Sequence, residues 1–324
     1  LKAIVIKQPG GPEVLQIEEL KKPEPGYSDV QVRVQAAGLN QADISQRQGR
    51  YPAPADCPQD IPGLEFSGTV EKLGANVHNF SIGDRVFGLV GGGAYAEYLV
   101  TNSRLLAKLP ERLSFVEGAA IPEAFITAYD AMVSQANLSC GEIVLINAVG
   151  SGVGIAAVQI AKAIGATTIG TARTPEKLEK AKAYGLDFGV VAQEGYFAEE
   201  IKKISEGVDV ILELVGGNYL PEDLICASLK ARIVLIGMLA GRSMSLDLSK
   251  VLTKKLKIIG TTLRARPLEE KIIVTNVFKK HLLPLFEKGV LRPVVDEIFP
   301  LAKAADAHSY LETHKTFGKV VLTI

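Results

Sequence analysis

Asn147-Ala-Val-Gly-Ser-Gly-Val-Gly154 sets three glycines, at 150, 152 and 154, between an apolar run and a segment of helical period. Glycines in such a turn let the backbone approach a pyrophosphate with no Cβ in the way, and the helix that follows offers free N–H groups and its positive dipole end. The strict G-x-G-x-x-G spacing is not met, and a glycine-rich turn of this kind also occurs without any ligand. The next strand adds a second observation. An enzyme specific for NAD places an acid at its end, roughly 20 residues on, to bond the ribose 2′-hydroxyl. Here the strand ends Gly170-Thr-Ala-Arg173, with no acid, and Lys177 follows one helical turn later. Two cations where a 2′-phosphate would lie predict NADP(H), although Thr174-Pro175-Glu176 is also an ordinary solvated helix entry.

Metal chemistry finds few ligands. The three cysteines, Cys57, Cys140 and Cys226, have no C-x-x-C spacing, and His78, His281, His308 and His314 have no second ligand at a persuasive spacing. No metal site is expected; the histidines read as core or surface residues and the cysteines as buried apolar ones, Cys57 excepted in its proline-rich loop. An odd cysteine count accords with a reducing, cytoplasmic setting. With 36 Lys+Arg against 36 Asp+Glu, the chain lacks the basic footprint of a nucleic-acid specialist. Before Lys7 the apolar run 3–6 is too short for a secretory signal. The uncharged stretch 143–161 approaches membrane-span length, but its glycines, Asn147, Ser151 and Gln159 fit strand, turn and helix better.

The elements that must position these residues fall into two patterns. Up to about residue 112, short apolar runs at 3–6, 30–34 and 66–73 are broken by turn signals at Pro9-Gly10, Pro25-Gly26, Gly74 and Gly83-Asp84. This predicts an antiparallel, barrel-like domain. After about residue 117, strand candidates at 142–147, 167–172, 189–191, 208–214, 232–237 and 256–260 alternate with helical segments such as 155–164. Such alternation predicts parallel β-α-β units in a doubly wound sheet. Helices are expected at 278–288 and 301–313 and a last strand at 319–324, whose pattern suits the first domain. At 324 residues two domains are expected, in an α/β chain divided as 1–117, 118–264 and a returning segment 265–324.

Along its whole length the chain resembles the zinc-free, zeta-crystallin-like quinone oxidoreductases of the medium-chain dehydrogenase/reductase family. The stretches that carry the likeness are Lys2-Ala-Ile-Val5, Ala37-Gly-Leu-Asn-Gln-Ala-Asp43, Pro62-Gly-Leu-Glu-Phe-Ser-Gly68, Gly83-Asp-Arg-Val86, Gly93-Ala-Tyr-Ala-Glu97 and Gly318-Lys-Val-Val321. Gln46-Arg-Gln-Gly-Arg-Tyr51 and Leu263-Arg-Ala-Arg266 look closest to the tumour-suppressor-inducible subgroup. The resemblance implies a GroES-like catalytic domain built from both chain ends, a Rossmann domain between them, NADPH in the cleft, and a homodimer. The family's A-x-x-G-x-x-G falls on Ala148, Ser151 and Gly154, so Ser151 departs from it with a small group that can still donate to a phosphate. Gly152, Val153, Gly216 and Gly237 are assigned to the cofactor with them. A tyrosine that often contacts the adenosine part aligns with Ala192, which puts that contact in doubt.

The same resemblance places Asn40, Asp43, Tyr51 and Arg264 at the nicotinamide end. There Asn40 and Tyr51 would bond a carbonyl oxygen, Asp43 would fix the neighbouring loop, and Arg264 would offset phosphate charge. Each also has a plain structural use: Asn40 and Asp43 as turn or cap residues, Tyr51 as a loop aromatic beside Pro52, Arg264 as a surface cation. Related alcohol dehydrogenases carry Gly-His-Glu for zinc where this chain has Gly63-Leu64-Glu65. The expected activity is NADPH-dependent reduction of a quinone by hydride transfer. Reduction of the C=C bond of enones or alkenals, and non-enzymatic NADPH binding, are the alternatives. Neither nucleic acid nor membrane is an expected partner.

Overall fold

The computed structural model describes residues 1–324 and divides into two compact units, Leu1–Ile126 with Leu263–Ile324, and Thr127–Thr262. The first unit opens with β1 (Lys2–Ile6) and β2 (Leu15–Glu19), an antiparallel pair in which Ile4 faces Ile17. It continues through β3 (Asp29–Gly38), β4 (Glu65–Leu73), β5 (Arg85–Leu89), β6 (Tyr98–Asn102) and β7 (Leu106–Lys108). β3 organises the unit. One edge pairs with β4, and the other is shared, Asp29–Arg33 opposite β6 and Ala36–Gly38 opposite the last strand of the chain. Register shifts beside Val32 and Ala36 break the β3–β4 ladder twice, and bulges of this kind curl a sheet. The alternating valines of β3 (Val30, Val32, Val34) turn into the core with Phe66, Val86 and Leu106.

The second unit is one six-stranded parallel sheet: β8 (Ile143–Ile146), β9 (Thr167–Ala172), β10 (Phe188–Val191), β11 (Val208–Glu213), β12 (Ala227–Leu235) and β13 (Lys257–Gly260). The order across the sheet is β10-β9-β8-β11-β12-β13, so the direction of winding reverses between β8 and β11. That reversal opens a crevice at the carboxyl ends of these two strands, where doubly wound sheets hold their ligands. The chain then returns to the first unit with β14 (Val295–Pro300) and β15 (Lys319–Thr323); β15 lies antiparallel to β3, with Val321 opposite Gly38.

Several boundaries differ from the sequence reading. The second unit spans 127–262 rather than 118–264, because the helix Phe115–Ala119 packs on β3 and β4, and Arg264 bonds within the first unit. The helix expected at 278–288 starts at Leu268 and is two helices, Leu268–His281 and Leu283–Glu287. The β-branched run 272–275 reads as extended in isolation. Burial of Ile272, Val274, Thr275 and Phe278 overrides that preference, and Pro284, lacking an N–H, marks the break. β12 likewise starts at Ala227, five residues before its expected beginning. No helix is long and apolar enough to cross a membrane.

Candidate functional site

In the second unit the glycine turn leaves the end of β8 at the winding reversal. Ala148 takes φ +52°, a left-handed conformation that a non-glycine residue adopts only under strain. Ser151 caps the helix Gly152–Ile164, its Oγ accepting the Gly154 N–H at 3.0 Å. Of the first-turn donors this leaves the N–H groups of Gly152 and Val153 pointing out of the helix end. A Cβ on Gly154 would sit 2.6 Å from Ala148 O, so the close seating of helix against turn requires glycine. A Cβ on Gly150 would lie 2.9 Å from Lys177 Cδ, which means that the Lys177 stem crosses the turn itself. Arg173 is exposed after β9 and feels Tyr219 electrostatically. Free helix N–H groups, a turn with glycine at 150 and 152, and two cations together fit the phosphates of a dinucleotide carrying a 2′-phosphate.

Beneath the turn lies a polar group that the sequence reading missed. Asn147 accepts from Thr171 Oγ1 at 2.8 Å and donates to Glu213 Oε2 at 2.6 Å and Asp223 Oδ1 at 2.9 Å; all four residues are fully buried. Glu213 also accepts the Val215 N–H, and the Gly216 N–H at 2.6 Å, and so shapes the loop after β11. Burial and the neighbouring Glu213 charge push the Asp223 carboxyl well above its ordinary range. The Asn147 amide, which donates to both carboxyls, and the backbone N–H groups on Glu213 offset the burial of the pair. Gly216 has φ +70°, and Gly237, whose Cβ would meet Leu214 O at 2.4 Å, closes against the same loop. A signal was present, since an acid and an amide end two otherwise apolar runs.

The adenosine tyrosine is absent from Ala192, which is buried; the loop has two aromatics, Tyr196, 66% exposed, and Phe197, buried. Of the two cysteines expected to be buried, Cys226 is buried and Cys140 is exposed; Cys57, the exception in that expectation, is half-buried.

In the first unit β3 delivers Asn40 to the start of the helix Gln41–Arg47. There it forms a reciprocal cap with Asp43, the Asn40 N–H donating to Asp43 Oδ2 at 2.8 Å. Asp43 has no exposed surface; its Oδ1 accepts the Gly63 N–H at 3.0 Å and its Oδ2 the Tyr95 hydroxyl at 3.1 Å. Burial raises its carboxyl to about 6. Both oxygens are therefore committed, and Asp43 holds the Gly63 loop rather than reaching for a ligand.

The Asn40 side chain donates through Nδ2 to Glu65 Oε1 at 2.9 Å and accepts through Oδ1 from Lys319 Nζ at 2.6 Å. Lys319, nearly buried, also meets Leu39 O at 2.6 Å and Glu65 Oε1 at 2.5 Å. Glu65 Oε2 takes the Glu123 N–H at 2.8 Å. The Glu123 carboxyl, ringed by protein atoms though partly exposed by area, is raised to about 7 by burial and then by the Glu65 charge. Glu65 and Lys319 lie in stretches that carry the family likeness but have no role assigned there, and Glu123 lies in none; the three stand tens to hundreds of positions apart.

Tyr51 is half-buried, and burial pushes its phenol up, so it stays a donor at neutral pH. The Arg264 guanidinium sits 5.1 Å from the centre of its ring. Arg264 is not the surface cation of its plain reading: at 6% exposure it donates to Gly91 O (2.8 Å), Tyr51 O (3.1 Å) and Gln46 Oε1 (2.5 Å). It clamps three segments of the first unit. Leu64 is 1% exposed, and no three His, Cys, Asp or Glu side chains are gathered so as to hold a metal ion.

Two family models match the chain, the alcohol dehydrogenase GroES-like domain over residues 26–111 and the zinc-binding dehydrogenase domain over 152–284. The quinone oxidoreductase of Lama guanicoe is 36% identical across all of this chain and 98% of its own length. Among solved structures, an NAD-dependent alcohol dehydrogenase superposes with a TM-score of 0.90 at 34% identity, covering 100% of both chains. The Escherichia coli quinone oxidoreductase complexed with NADPH does so with a TM-score of 0.90 at 29% identity, again over 100% of both.

Proposed function

Because the chain belongs to the quinone oxidoreductase family of medium-chain dehydrogenases and reductases, we infer that it reduces quinones with NADPH and needs no catalytic metal. The observation that carries this reading is the pair of neutral donors, the Asn40 amide and the Tyr51 phenol, in a unit where Leu64 replaces the histidine a zinc site would use. When bound, NADPH supplies the hydride. The N–H groups of Gly152 and Val153 would receive its phosphates and Lys177 and Arg173 its 2′-phosphate, while Gly216 and Gly237 let the loops after β11 and β12 close on each other beside it. Asn40 and Tyr51 donate to the acceptor oxygen that turns negative as the hydride arrives. Asp43 keeps Asn40 and the Gly63 loop in place, and Arg264 holds the Tyr51 segment.

Alcohol oxidation fits less well, since Leu64 offers nothing to hold the ion that would generate an alkoxide. A panel of quinones, enones and alcohols, followed by NADPH consumption, tests the reading. Quinones should be turned over fastest. Faster enone reduction would replace the activity with C=C reduction, and NADPH binding without turnover of any acceptor would replace it with a non-enzymatic role.

The active form is a homodimer. β13 ends the sheet with an unpaired edge, and Leu248, Leu252 and Ile258 beside it are 68%, 79% and 38% exposed, a combination that favours pairing with a second copy. Light scattering should give twice the chain mass, and Ile258→Pro should give monomer. Three unpaired cysteines accord with a reducing compartment such as the cytoplasm.

A further inference from the structure

Asn40 is gripped at both ends of its amide, and the two grips differ in kind. An ammonium has only hydrogens to give, so Lys319 Nζ, 2.6 Å away, requires the oxygen of the amide. Glu65 Oε1, 2.9 Å from Nδ2, lies on the other side and also bonds Lys319. Flipping the amide would set its NH2 against the ammonium and its oxygen against the carboxylate, two like-to-like contacts in a site where Glu65 is fully buried and Lys319 5% exposed. Nδ2 carries two hydrogens; one is spent on Glu65, and the second remains.

We propose that Lys319 is a positioning residue that locks the Asn40 amide with N–H, and not C=O, turned to the acceptor oxygen. Without Lys319 only Glu65 opposes the flip, nothing holds the amide oxygen, and the flipped form would repel the developing negative charge. The ammonium adds a second effect, because drawing electron density toward Oδ1 makes the remaining N–H a stronger donor. This inference rests on the reading that Asn40 donates to the acceptor.

Lys319→Met keeps the length and removes the charge. Loss of one oriented oxyanion donor costs roughly 10²- to 10³-fold in turnover, and a misoriented one forfeits part of that, so kcat for quinones should fall about 10- to 100-fold with NADPH affinity little changed. In an Asn40→Ala background the same substitution should cost nothing more, since its effect passes through the amide. Lys319→Arg should recover part of the loss. Because Lys319→Met strips buried Glu65 of its ion-pair partner and so costs folding stability, Lys319→Met/Glu65→Gln, which removes both charges, should show the same loss of turnover while folding.

Undiminished kcat in either variant, or a full additional loss in the Asn40→Ala background, overturns the proposal. A readout without substrate separates it from the functional reading. The Asn40 side-chain NH2 should exchange slowly in wild type by NMR and quickly in Lys319→Met; equal exchange overturns the lock. If exchange changes as expected but wild type reduces no quinone, the lock stands and the assigned reaction fails.

Discussion

Replacing Lys177 by alanine should remove most of the preference for NADPH and leave NADH binding almost untouched. The stem of Lys177 runs across Gly150, and Arg173 stands exposed at the end of β9, so the two cations differ in setting. A hydrogen bond to a charged partner is worth about 1.5–3 kcal/mol, and the half-buried lysine should supply that much to a 2′-phosphate. The exposed arginine, screened by solvent, supplies less, on the order of 1 kcal/mol or below. Lys177→Ala should therefore weaken NADPH by roughly 10- to 150-fold. Gly150→Ala gives an independent handle. Its Cβ would come within 2.9 Å of Lys177 Cδ and 3.3 Å of its Cβ, so the flexible stem must swing aside, and part of the preference should go with it while the fold stays intact. Calorimetric titration with NADPH and NADH, at low and at high salt, measures both; the preference in wild type should shrink as salt screens the cations. Equal affinities in wild type would refute the assignment, as would a Lys177→Ala variant that weakens NADPH and NADH alike. The second result would put the lysine at phosphates common to both cofactors. That outcome is worth testing for, since an NAD-dependent alcohol dehydrogenase shares 34% identity with this chain.

Tyr51→Phe should lower kcat by up to roughly 10²-fold with little change in NADPH affinity, as loss of a donor used only in the transition state does; a drop in affinity with kcat intact would contradict the role. Ala148→Gly should raise stability by about 1 kcal/mol in denaturant unfolding, because φ +52° costs glycine nothing and alanine something; destabilisation would mean that the methyl packs usefully. Glu123, raised to about 7, and Asp43, raised to about 6, bind protons in the fold that the unfolded chain releases near pH 4, so both erode stability as pH rises from about 4 to 7. Buried His308, lowered to about 3, acts in the opposite direction, costing stability as pH falls below about 6.5. Glu123→Gln should thus gain stability relative to wild type as pH rises from about 4 to 7 and hold that gain above 7, and a difference independent of pH would show that Glu123 ionises freely. Exhaustive chelation should leave quinone turnover unchanged, and elemental analysis should find no stoichiometric zinc; activity lost with a bound zinc would refute the metal-free reading.

Much of the nucleotide half could be read from local sequence alone. A glycine turn, the helix it opens and the cations one strand later lie within about thirty consecutive residues, and the physics of phosphate binding is equally local: free N–H groups at a helix start and no Cβ above them. Alternating strand and helix patterns likewise carried the sheet, since each element must bury its own apolar face whatever its neighbours are. The plain use of Asn40 and Asp43 as cap residues is seen directly, and the proposed donor role of the Asn40 amide is compatible with it.

What sequence could not supply was partnership across distance. Asn40, Glu65 and Lys319 meet because β15 returns to the edge of β3, and that pairing depends on which strand edge is left open once β6 has taken the first half of β3. Asn147, Glu213 and Asp223 meet because the winding of the sheet reverses between β8 and β11. Arg264, expected to offset phosphate charge or else to be a surface cation, is enclosed in the fold by three acceptors from separate segments. Residue type and spacing thus determined which chemistry this chain carries; tertiary structure decided which atoms of those residues remain free, because a buried polar group must spend its donors and acceptors on whichever neighbours the fold provides.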